Sequence, residues 1–139
     1  SGRALIWKMS FDIIKEHPFF GAGPENLKEA LKQTKNKRSH AYGKLTGHTV
    51  DKAHNEFLHV AAVSGFPALL LYLLFIVLIF KENTSEIIRI NTKSVIALAV
   101  LAYVIQSLFN ISVIAVAPLF WVLLGLFARK KDEMWLQES

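Results

Sequence analysis

Cysteine is absent from the 139 residues, which excludes a disulfide scaffold and a thiol nucleophile. Charge is missing from two long stretches, since residues 57–80 and 94–128 contain no Lys, Arg, Asp or Glu. A chain that is 53% hydrophobic, with its uncharged residues gathered into two such blocks, reads as an integral membrane protein. The absence of acidic and basic side chains at depth also weighs against a transporter or channel subunit with an anion-binding external loop, because transport pathways usually expose ionisable groups there. Histidines are few and badly spaced for zinc. His40 and His48 lack partners at ligand spacing, and His54 and His59 are five apart, which does not put them on one helix face. The sequence begins at Ser1 without Met, basic leader or cleavage site, so it reads as the C-terminal piece of a longer polytopic protein.

What charge there is lies unevenly. The net value is +5, and the first 55 residues hold ten Lys and Arg against five Asp and Glu. That balance suits an anionic partner. The basic residues are not expected to be interleaved with exposed aromatics, so nucleic acid is not expected, while membrane lipids with anionic headgroups or a lipid-linked diphosphate fit better.

Leu5, Ile6, Met9, Ile13 and Ile14 recur at helical spacing, with Lys8, Asp12, Lys15 and Glu16 on the remaining face. Residues 3–16 therefore predict an amphipathic helix, which Pro18 terminates. Gly21 and Gly23 make a tight turn whose backbone amides could approach a phosphate, and Pro24 suits the first position of a second helix running to about Gln33. Residues 34–50 have no apolar period and read as a surface loop. Asp51 is a suitable N-cap for a helix from Ala53, which would place His54 in the first turn, where exposed amides attract anions. Asn55 beside it could orient His54, bond an acceptor, or simply act as a local cap.

Residues 57–80 would form a helix roughly 36 Å long, enough for one membrane span across a core of about 30 Å. Residues 94–128 would reach roughly 50 Å as one helix, so two spans, about 94–110 and 113–128, with a bend near Asn110, fit better. Lys81, Arg89 and Lys93 flank one loop, and Arg129, Lys130 and Lys131 follow the last span. Both should be cytoplasmic, which puts residues 1–56 outside. The expected fold is thus all-α integral membrane: amphipathic extracytoplasmic helices over residues 1–56, then a transmembrane region over 57–139 with three spans and a cytoplasmic tail.

Arg3 is followed four residues later by Trp7, then by His17-Pro18 and the Gly21-Ala22-Gly23 turn. A variable loop separates these from His54-Asn55, Phe57-Leu58 and Gly65, which lead into an apolar run. In this order and spacing the chain resembles the O-antigen ligase and O-antigen polymerase family. The resemblance implies the C-terminal part of a GT-C-like polytopic bundle in the bacterial cytoplasmic (inner) membrane. It also implies transfer of a glycan from a polyprenyl diphosphate carrier to an acceptor sugar hydroxyl, on a glycan or a lipid-linked acceptor, as in lipopolysaccharide biosynthesis. No cofactor, nucleotide sugar or metal is implied. His54 and Arg3 occupy the matching catalytic positions, as base and as diphosphate partner. Asn55, Lys52, Gly21 and Gly23 are candidates for substrate binding. Relatives also draw basic residues from earlier loops and carry N-terminal transmembrane helices, missing here, so this piece alone is expected to be inactive.

Overall fold

The computed structural model describes residues 2–33, 52–89 and 91–129, and over these the chain is all-α, its helices joined by turns and short connections. Helix α1 (Gly2–Glu16) buries Ile6, Met9 and Ile13, one stripe at three- and four-residue spacing, while Lys8, Lys15 and Glu16 stay exposed. Helix α2 (Leu27–Gln33) starts later than Pro24 suggests, because Glu25 takes a left-handed φ of 57° and delays the helix. Leu27, Ala30 and Leu31 join the α1 stripe and, with Ala62 and Val63 of helix α3 (Glu56–Ser64), form the first core.

Helix α3 does not begin at an Asp51 cap. Asn55 is the cap: its backbone is extended and its side chain accepts from Leu58 N at 2.9 Å. Asp51 lies outside the described residues. His54 therefore precedes the helix and is not in its first turn, and its φ of 53° marks a left-handed residue before the cap.

The expected single span over 57–80 is two helices, α3 and α4 (Phe66–Glu82), separated by Gly65. In one continuous helix Phe57 and Tyr72 would lie about 22 Å apart along the axis. Their ring centroids are 5.9 Å apart. The chain folds back at Gly65, whose φ of 89° and ψ of 168° only glycine adopts readily, and Pro67 suits the first turn of the helix that follows.

A short helix α5 (Thr84–Ile88) leads to α6 (Thr92–Ser107), which opens with a capping box between Asn91 and Ser94. Residues 108–116 connect α6 to α7 (Ala117–Ala128). Ile76, Val100, Phe120 and Leu124 form the second core, between α4, α6 and α7. Ring contacts set the directions. Tyr72 meets Trp121 at 6.2 Å and Phe80 meets Phe127 at 5.0 Å, so α4 and α7 run the same way. Tyr103 stacks on Phe120 at 4.4 Å, and Lys93 Nζ donates to Arg129 O, so α6 runs against them. Lys81, Lys93 and Arg129 accordingly collect at one end of this three-helix unit, and the 108–116 connection lies at the other.

No helix among the described residues is long and apolar enough to cross a membrane. With 17, 16 and 12 residues, α4, α6 and α7 reach about 26, 24 and 18 Å. The spans expected at 57–80, 94–110 and 113–128 are shortened by the reversal at Gly65 and by the non-helical stretch before Ala117. The unit still turns a large apolar surface outward: Leu70, Leu74 and Val77 of α4, Leu98 and Ile105 of α6, and Leu119 and Val122 of α7 are all exposed.

Candidate functional site

The residues singled out by their spacing fall into two places, the two ends of α3. At its C-terminal end the Gly21-Ala22-Gly23 turn locks onto the backbone. Ala22 N donates to Ala62 O at 2.8 Å, Gly23 N to Val63 O at 2.9 Å, and Phe66 N to Pro18 O at 2.8 Å. The fit is close on both sides. A Cβ on Gly21 would lie 2.3 Å from the Val63 carbonyl carbon, and one on Gly65 would lie 2.2 Å from Phe19 O. The turn amides are thus engaged, Gly21 N by His17 O at 3.0 Å and Gly23 N by α3, which leaves neither to cradle a phosphate. The glycines permit docking of one backbone on another.

At the N-terminal end of α3 stand Lys52, His54 and Asn55, each half-buried. The helix separates them from the glycine turn by about 13 Å, nine residues at about 1.5 Å each. Because the Asn55 side-chain oxygen is engaged as the cap, its first role here is local. Asn55→Ala should cost about 1 kcal/mol of stability and Asn55→Asp much less, read as shifts in thermal unfolding of the protein in detergent. Equal melting of all three would deny the cap.

Arg3 is exposed near the start of α1, which packs on α3. The C-terminal ends of both helices meet at the glycine lock, through Pro18 and Phe66. Arg3 and His54 each stand near the N-terminal end of their own helix.

Spacing does not reveal Glu56. Its Oε2 accepts from Ser112 N at 2.7 Å, across 56 positions, and Ser112 Oγ lies 2.9 Å from the Tyr103 hydroxyl. Beside this run the rings of Phe57, Tyr72, Trp121, Phe120 and Tyr103, each in contact with the next. An acidic residue in a first helical turn reads as dipole compensation, and nothing local names its distant partner.

Residues 1–73 match the family described as O-antigen ligase, a match that contains α1, α2, α3, the glycine lock, Arg3 and His54. The chain belongs to the O-antigen ligase family. No curated protein and no solved structure matches it. Family membership gives the chain an O-antigen ligase or polymerase type of function and a glycosyltransferase-like enzymatic role, among bacterial membrane proteins of lipopolysaccharide-related synthesis. The matched segment ends inside α4, so the α6–α7 hairpin and the Ser112 partner of Glu56 lie beyond it.

Proposed function

We propose that this O-antigen ligase family chain supplies the base and one phosphate-binding cation for transfer of a glycan from a polyprenyl diphosphate carrier to an acceptor sugar hydroxyl. The observation that carries the reading is where His54 sits. It is half-buried in a left-handed conformation just before the Asn55 cap, inside the family-matched segment. It is also on the side of the 108–116 connection, away from the basic end formed by Lys81, Lys93 and Arg129.

In this reading the apolar surface of α4, α6 and α7 faces lipid, with the basic end cytoplasmic and His54 on the extracytoplasmic side of the bacterial inner membrane. The preceding transmembrane helices of the full-length protein complete the bundle. His54 takes the proton of the acceptor hydroxyl as its oxygen bonds to the anomeric carbon, and the bond from that carbon to the diphosphate breaks. Polyprenyl diphosphate leaves with its charge met by the planar fork of Arg3, and Lys52 adds a second cation. The acceptor, a lipid-linked sugar or the end of a growing glycan, determines whether the reaction is ligation or polymerisation.

The test is transfer by membranes carrying the full-length protein, with a polyprenyl diphosphate-linked glycan as donor. Glycosylated acceptor and free polyprenyl diphosphate should appear in equal amounts. Arg3→Lys should lower the rate about ten-fold or more, because an ammonium cannot reproduce the bidentate fork. Lys15→Ala, an exposed position in the last turn of α1, should leave it unchanged. Absence of transfer over a panel of acceptors, or equal rates for Arg3→Lys and Lys15→Ala, would remove this reading or Arg3 from it, respectively.

A further inference from the structure

The connection between α6 and α7 is held from two sides at one residue, Ser112. Tyr103 of α6 meets its hydroxyl, and Glu56, two positions after His54, accepts from its amide at 2.7 Å. Other bonds of the connection are local, among them Phe109 N to Gln106 O, Ile111 N to the Asn110 side chain, and Val116 N to Val113 O. The Glu56 bond thus joins the connection to the His54 segment. A carboxylate accepting from an amide makes a bond roughly twice as strong as a neutral pair. The bond is also partly buried. The ring contact between Phe57 and Tyr72 sits on the same stretch and aligns α3 with α4.

We propose that Glu56 is a positioning residue for glycan transfer, holding the 108–116 connection in fixed register with His54. This rests on the transfer reaction argued above. Glu56 forms no bond with substrate in this role. It acts by keeping the connection and the His54 backbone at one separation, the condition for a base and an incoming hydroxyl to meet in reactive geometry.

Two readouts in the full-length protein test it. In a background without other cysteines, Asn110→Cys reports how firmly the connection is held, through its rate of modification by a membrane-impermeant thiol reagent. Glu56→Ala should raise that rate several-fold and lower glycan transfer about ten-fold. Glu56→Gln should restore both toward wild type, because its amide oxygen still accepts from Ser112 N–H. A role confined to charge at the helix start predicts the opposite for Gln, which removes the charge. Unchanged transfer in Glu56→Ala, or unchanged Asn110→Cys labelling, would overturn the positioning role while the reaction itself stands. Failure of the unsubstituted protein to transfer would instead overturn the reaction on which the role rests.

Discussion

Gly65→Ala is expected to prevent stable packing of the whole N-terminal half on α4. At φ 89° and ψ 168° the backbone of residue 65 lies in a region that a side chain makes costly, by about 1–3 kcal/mol. The added Cβ would also lie 2.2 Å from Phe19 O, 2.4 Å from Phe19 C and 2.9 Å from Phe20 N, and backbone atoms cannot rotate out of the way. Relief requires the 18–23 segment to leave α3, which breaks the bonds from Phe66 N to Pro18 O and from Ala22 N to Ala62 O. Each is worth about 1 kcal/mol net. The combined loss, about 4 kcal/mol or more, is a large fraction of the 5–15 kcal/mol that ordinary domains possess. Gly125→Ala provides the contrast. A Cβ there meets nothing within 4 Å and the residue is helical, so the substitution should stabilise by about 0.5–1 kcal/mol. Thermal unfolding of the purified protein in detergent compares the two. A Gly65→Ala melting point close to that of the wild type would mean that the lock yields easily.

Removing the proposed base should have the larger chemical effect. His54→Ala is expected to lower glycan transfer by about 10²–10⁴-fold, the usual contribution of a placed general base. Alanine also sits poorly at a φ of 53°, so loss of activity in that variant alone would mix chemistry with strain. Asparagine separates the two, because it tolerates the left-handed conformation but cannot take the proton. His54→Asn should fold and insert as the wild type does and remain as inactive as His54→Ala. Transfer restored by Asn would make His54 a conformational residue and remove the base from the mechanism.

Much of the N-terminal half was legible in the sequence. The stripe of Ile6, Met9 and Ile13 predicted both the helix and its buried face, and Pro18 its end. Arg3, the glycine turn and His54, singled out by their order and spacing, all fall in the segment that matches the family. Two features were not legible, for different reasons. The interruption at Gly65 and Pro67 is visible as a helix break, but a break does not state its angle, and hydropathy reads on through a reversal because both arms are apolar. Only the contact between Phe57 and Tyr72 reveals the fold-back. The role of Glu56 depends on an amide 56 positions away, which no local pattern contains. The glycine turn allowed two readings, a plain turn or an approach to phosphate. In the structure the Ala22 and Gly23 amides bond carbonyls that the end of α3 leaves open, and Gly21 N bonds His17 O.

The glycine lock also bears on which substitutions this segment can absorb. The segment bearing Arg3 and the turn is fastened to α3 and α4 by backbone bonds on both flanks of Gly65, and His54 is placed by α3 itself. His54 is thereby tied to the turn and to α4 through bonds made within residues 18–66. Because main-chain atoms carry that fastening, the exposed side chains of Phe19 and Phe20 can change without loosening it.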